Sequence, residues 1–199
     1  HPSAVARAVL THAHGSHARR GSSLYHDSEA GRPLFRERLG QDANLVEHAY
    51  GERFHVGNTT VSLHPAGHVL GSAQIRIEIP GKVAVVSGDY KRDPDPTCAP
   101  FTPVPCDIFV TESTFGLPIY RWPSMDTVIT DLLARWDDFA KRQIPAVLFC
   151  YSLGKAQRLL AALAKRTHPS VHHPGALPRL HEVSRHAVIQ LAQATPAGV

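Results

Sequence analysis

Between residues 54 and 87 the chain alternates apolar and polar residues in a way that only a sheet satisfies. Ile75, Ile77 and Ile79 are separated by Arg76 and Glu78, so one face of a strand is buried and the other is not. Ahead of them, Phe54–His64 has the pattern of a hairpin: Gly57-Asn58 is a turn signal, and Val61 and Leu63 alternate with Thr60, Ser62 and His64. After Pro80-Gly81 comes Lys82–Ser87, whose apolar run Val83–Val86 predicts a strand covered on both faces. Ala4–Leu10 and Ile108–Thr111 read as further short buried strands, and Ser22–Tyr25 as another short one.

Helical signals are fewer and lie mostly later. A helix is expected from about Arg32, with Pro33 in its first turn, to a C-terminal cap at Gly40. Residues 93–105 are a Pro-rich connection, and beyond Pro123 the texture changes. Ser124 suits an N-cap for a helix whose apolar face carries Val128, Ile129, Leu132, Leu133, Trp136 and Ala140. Ala146–Cys150 then reads as a buried strand, Ser152–Arg158 as the start of a helix through Leu163, 167–178 as a loop, and 179–193 as a last amphipathic helix. Strands first, then helices alternating with strand, predict a mixed α/β fold with a boundary near 117–123.

Composition narrows the setting. The 199 residues are 43% hydrophobic and 19% charged, the balance of a folded domain rather than of a disordered chain. No apolar run is long enough to span a bilayer and no signal peptide opens the sequence, so no membrane partner and a cytoplasmic location are expected. Three cysteines with no CxxC pair argue against disulfides and thiolate-bound zinc. The net charge of +4, with a pI of about 9.2, suits a polyanionic partner without requiring one.

The 14 histidines are the chemical signal. His12, His14 and His17 fall within six residues, directly after the first predicted strand. His68 sits in the Gly-flanked loop Pro65–Ser72, and Asp89 ends the strand that closes in Gly88-Asp89-Tyr90. Taken alone, such histidines are as readily exposed loop residues, and Asp89 a turn cap. Together they are three imidazoles and a carboxylate at strand ends, a good ligand set for zinc and related divalent metals.

These residues carry a resemblance. Thr11-His-Ala-His-Gly-Ser-His17 resembles the H-x-H-x-D-H signature of the metallo-β-lactamase superfamily. His64–Ile75, Val86–Lys91, Asp93–Pro100, Thr111–Tyr120 and Tyr151–Arg158 look like bacterial ligase-associated DNA exonucleases of its β-CASP branch, also described as mRNA 3'-end processing factor-like. The resemblance covers most of 3–165. It implies an αββα sandwich, here incomplete at both ends, with a partial metallo-β-lactamase domain over 1–117 and part of a β-CASP-like α/β region over 118–199.

It also implies two zinc ions, with manganese as the alternative. His12, His14 and His68 would hold one, Asp89 would bridge, and His17 would serve the second. A metal-bound hydroxide would then attack a phosphodiester of DNA, in a repair system with ligase or helicase partners. Glu112 resembles an acidic residue that orients a histidine or shuttles a proton; otherwise it caps a strand. Ser152, Gly154, Lys155 and Arg158 open a helix in a way that suits a DNA phosphate, although an ordinary capped helix reads the same.

The pattern breaks at Ser16, where the family has an Asp that serves the second metal. With that loss and the missing termini, one metal or none is expected and activity is impaired. The alternatives are a non-catalytic module that binds nucleic acid or a partner, and a small-ester hydrolase on the same fold. His26, His48, His55, His168, His181 and His186 match no motif, His172 and His173 match a His-Gly turn too loosely for a role, and Trp122 and Trp136 read as core.

Overall fold

The computed structural model describes residues 5–166, 171–173, 180, 182, 184 and 194–196. Strands β1 (Arg7–Val9), β2 (Leu24–Ser28) and β3 (Leu45–His48) form a parallel sheet in the order β1-β2-β3. A second sheet runs β4 (Arg53–Val56), β5 (Thr59–Pro65), β6 (Ala73–Ile79), β7 (Lys82–Val86) and β8 (Ile108–Val110). Its pairs are antiparallel except for β7 with β8. Helix α1 (Arg32–Leu39) joins β2 to β3, α2 spans Met125–Lys141 and α3 spans Lys155–Ala164. β9 (Val171–His173) and β10 (Ala194–Pro196) pair in parallel.

Side-chain alternation builds the layers. In the parallel sheet, Ala8, Tyr25 and Leu45 share one core with Leu34, Phe35 and Leu39 of α1. Burying each of these three helix side chains contributes about 2 kcal/mol. From the other side of β1, Val9 packs into a second core with Phe54, Val61, Leu63 and Ile75 of the five-stranded sheet. Helix, sheet and sheet are therefore stacked, as the mixed α/β expectation required. Leu153 and Leu180 join the first core, which ties the later part of the chain to it.

His26 and His48 fill the space between the sheets. His48 stacks on Phe54 with ring centroids 3.5 Å apart, and His26 Nδ1 lies 3.0 Å from His48 Nε2. Burial, aided by His48 and Arg7, lowers the pKa of His26. These two are core histidines.

Several expectations need correction. β1 is shorter than Ala4–Leu10 and only half-buried. In β7 only Val85 is fully buried, so the strand is not covered on both faces. β3 has no counterpart in the sequence reading, because Leu45-Val-Glu-His48 is too short for a period to emerge. β8 exists but is exposed, since it pairs with β7 on one side alone among the described residues.

Residues 146–150 form no strand and are exposed, Phe149 at 97%. No described strand lies beside them to take their backbone groups. Helix α2 is capped at Ser124 as expected, yet only Ile129 of its apolar face is fully buried. Trp122 is 68% exposed, stacked in a surface cluster with Tyr120, so it is not core. Of the predicted loop 167–178, residues 171–173 are β9; the rest lies outside the described residues, as do His168, His181, His186 and most of the predicted helix 179–193.

No disulfide links the cysteines. No described helix is long and apolar enough to cross a membrane.

Candidate metal centre

The ends of β1, β5 and β7 meet at one point because short backbone bonds fasten them. Leu10 N–H donates to the His26 carbonyl (2.9 Å), and Ala73 N–H to the Thr11 carbonyl (2.7 Å), which joins the two sheets at the His-rich turn. The loop carrying His68 is pinned by the Ser72 hydroxyl, which accepts from the amides of His68 and Val69 at 3.0 and 3.2 Å. Lys91 N–H donates to the Ala66 carbonyl (2.9 Å), fastening the Asp89 turn to the same loop.

Through these ties His12, His14, His68 and Asp89 present one ligand atom each within 4.8 Å of one another. His12 Nε2 is 3.6 Å and His68 Nε2 3.7 Å from Asp89 Oδ2, and His14 Nδ1 is 3.4 Å from His68 Nε2. Ligands about 2.05 Å from a tetrahedral zinc lie about 3.3 Å apart; these three contacts come within a few tenths of an ångström of that spacing, while the widest separation in the set, up to 4.8 Å, would have to close on a metal. His17 stands outside the set, yet its Nε2 is 3.4 Å from the other carboxylate oxygen, Asp89 Oδ1. Asp89 thus lies between the three histidines of the set and His17.

Burial and mutual repulsion keep the His12 and His68 imidazoles of this cluster uncharged. His12 is fully buried, and its pKa is pushed down to about 2 by burial first and then by His17, His14 and His68. The pKa of His68 is also lowered, by burial and His14, against the opposing pull of Asp89 and Glu112. His12 is therefore neutral, and its approach to Asp89 is no ion pair. Its Nε2 is buried and has no hydrogen-bond partner. A buried ring nitrogen left without a hydrogen bond is unfavourable, and a cation shared with Asp89 would satisfy it, so the donor set fits a divalent metal. Thr11 Oγ1, 3.2 Å from His12 Nδ1, would accept the proton that metal binding through Nε2 leaves on Nδ1.

The other candidate residues are more dispersed. Ser16 is exposed in the turn between His14 and His17. Glu112 is near enough to act on His68, while its Oε2 accepts from Thr114 N–H at 2.7 Å, so it caps its own turn as well. At the start of α3, Gly154 N–H donates to Gln157 Oε1 (2.7 Å), and Arg158 Nε faces the buried Asp95 at 3.8 Å. Ser152 and Lys155 are exposed, the Lys155 ammonium resting 4.7 Å from the Tyr151 ring centroid.

Two features escaped the sequence reading. The Leu153 carbonyl lies 3.2 Å from His14 Nε2, a contact no spacing rule announces across so long a stretch of chain. Asp27 is fully buried on β2 with neither carboxylate oxygen partnered, and burial plus Glu47 raise its pKa to about 7. The expected strand Ser22–Tyr25 runs instead over Leu24–Ser28, so the sequence reading left Asp27 outside it.

No protein-family model matches the chain. It is 32% identical over 187 residues to a probable DNA ligase of Opitutus terrae, a match covering 90% of this chain and 17% of that protein. It is 34% identical over 126 residues to the endoribonuclease ysh1 of Emericella nidulans, covering 58% of this chain and 14% of the relative. The chain thus spans a small part of either relative. A crystal structure of a protein of unknown function from Enterococcus faecalis shares the fold, with a TM-score of 0.58 and 11% identity over 97% of this chain and 51% of that one.

Proposed function

We propose that this chain, which belongs by its relatives to the β-CASP branch of the metallo-β-lactamase superfamily, is the metal-binding part of a nuclease. The reading is carried by one observation: four residues of metal-ligating type, one of them a buried imidazole whose Nε2 has no hydrogen-bond partner, present ligand atoms within 4.8 Å of one another. His12, His14 and His68 with Asp89 would hold one divalent cation, zinc before manganese by donor type. When bound it would lower the pKa of water and neutralise charge on a phosphodiester.

The protein's own residues do the rest. Asp89 and His68 are 36% and 27% exposed on their side chains, so the cluster opens to solvent on the side where a polymer can reach it. Asp89 holds the cluster to His17, and Glu112, on the His68 side, orients that ring or carries a proton. Ser152 and Lys155 supply contacts to a phosphate; the Gly154 amide and Arg158, engaged internally, would have to exchange partners to join them. The net charge of +4 favours a polyanion.

DNA is the preferred substrate in this reading, because the match spanning 90% of the chain is to a probable DNA ligase and the endoribonuclease match spans 58%. The activity is exonucleolytic, in cytoplasmic DNA repair with ligase or helicase partners, and the regions 1–117 and 118–199 contribute the metal-binding and nucleic-acid-binding portions. Ser16, in place of a carboxylate, favours one metal and weak turnover. It equally motivates a second reading, a non-catalytic module that binds nucleic acid.

Zinc- or manganese-loaded protein incubated with end-labelled single- and double-stranded DNA and RNA tests both. Chelator-sensitive shortening of DNA, abolished by His12→Ala, supports the nuclease. Salt-dependent binding without cleavage selects the second reading, and neither cleavage nor binding, also after Ser16→Asp, rejects both.

A further inference from the structure

The turn Ser152-Leu-Gly154 ahead of α3 is held by a single side chain. Gln157, 2% exposed, accepts from Gly154 N–H through Oε1 at 2.7 Å and donates from Nε2 to the Ser152 carbonyl at 2.9 Å. The residue between those two anchors is Leu153, whose side chain is buried in the first core and whose carbonyl lies 3.2 Å from His14 Nε2. Gly154 adopts φ +90°, and a Cβ there would fall 2.6 Å from Val69 Cγ1, beside His68. The turn therefore touches His14 and lies close beside the His68 loop.

A carbonyl accepts and never donates. A neutral imidazole has one N–H, so the Leu153 carbonyl fixes that proton on Nε2 of His14 and leaves the lone pair on Nδ1. Nδ1 is the atom that faces His68 Nε2 at 3.4 Å. We propose that Gln157 is a positioning residue for the metal centre: by clasping the turn, it aims the Leu153 carbonyl at His14 and so sets which nitrogen of His14 is offered to the metal. The inference rests on the metal-centre reading above and goes beyond it, since it gives the start of α3 a task toward the metal and not only toward phosphate. Helix capping alone would give Gln157 the same hydrogen bonds but would leave His14 indifferent to its loss.

The test compares the intact chain with Gln157→Leu, which removes both bonds, and with Gln157→Glu, which keeps the acceptor for Gly154 N–H. Leu160→Ala, a buried change further along α3, controls for loss of helix stability. Two quantities are measured: zinc affinity by competition with a chromophoric chelator, and the His14 tautomer from imidazole ¹⁵N shifts of the metal-free protein near pH 8. The expected result is Nε2–H at His14 in the unaltered chain, a mixture of tautomers in Gln157→Leu, and zinc affinity about tenfold weaker, the size of loss seen when a ligand's outer partner is removed. Gln157→Glu falls between, and Leu160→Ala leaves the tautomer and affinity near their starting values. An Nδ1–H tautomer in the unaltered chain, or a tautomer and zinc affinity unmoved by Gln157→Leu, overturns the proposal. If no variant binds zinc, the metal-centre reading fails, while the tautomer comparison still decides whether Gln157 governs His14.

Discussion

His12 Nε2 stands 3.6 Å from Asp89 Oδ2, too far for a hydrogen bond and at the separation of two ligands on one metal. His12 is fully buried and neutral, and its Nε2 has no hydrogen-bond partner. Without a cation this unsatisfied nitrogen costs stability, and a bound cation would remove that cost. His12→Ala should therefore abolish the zinc-induced rise in unfolding temperature. In the unaltered chain that rise should correspond to about 2.7 kcal/mol at a hundredfold excess of zinc over its dissociation constant. An equal zinc response in both proteins would show that the ion binds elsewhere.

Much of this candidate cluster was legible in the sequence, because its residues lie at strand ends and strand ends are punctuated. His12 and His14 follow the first apolar run, His68 lies between glycines, and Asp89 ends the β7 segment. The Phe54–His64 hairpin and α1 emerged for the same reason, with Gly57-Asn58 and Gly40 marking their limits. What stayed hidden depends on neighbours. Residues 146–150 have the composition of a buried strand but no described strand beside them, and β8 is apolar yet bare on one side. The bond between the Leu153 carbonyl and His14 is set by how α3 docks, and a carbonyl has no side-chain signature.

The Ser16 position tests the second-metal question. Ser16 is exposed beside His17, whose Nε2 already lies 3.4 Å from Asp89 Oδ1. Ser16→Asp would add a carboxylate to that pair, giving a second site a charged ligand in place of a neutral hydroxyl. Metal titration followed by elemental analysis should find a second equivalent retained by Ser16→Asp and not by the unaltered chain. Identical stoichiometry would show that the serine is not what limits the site.

Asp27 gives a pH signature separate from the centre. Burial and Glu47 raise its pKa from 3.8 to about 7, with Arg36 and Arg32 opposing. The folded state then binds this proton more tightly than the unfolded one. The cost of ionising Asp27 is absent below about pH 4, grows as pH rises, and is complete above about pH 7, reaching on the order of 4 kcal/mol. Asp27→Asn cannot ionise, so its stability relative to the unaltered chain should increase from pH 4 to pH 8 in urea unfolding. A difference that stays constant over this range would mean that Asp27 is not buried as described.

Gly67 is the backbone hinge of the His68 loop. Its φ is +72°, and a Cβ would lie 2.3 Å from the Lys91 carbonyl oxygen, which belongs to the Asp89 turn. Gly57 has a similar φ of +62° but open space around it. Gly57→Ala should cost only the strain of the left-handed conformation, about 1 kcal/mol. Gly67→Ala should cost several times more and weaken zinc binding, because the clash separates His68 from Asp89. Chemical unfolding and zinc titration of the two variants check the contrast, and equal losses would contradict it.

The central claim is that His12, His14, His68 and Asp89 form a site for one divalent metal. Elemental analysis of the chain refolded with zinc and freed of excess ion measures this most directly. The account predicts one zinc per chain, falling to none when His12 and Asp89 are both replaced by alanine. A chain that retains no zinc, or a double variant that retains as much as the original, would contradict it.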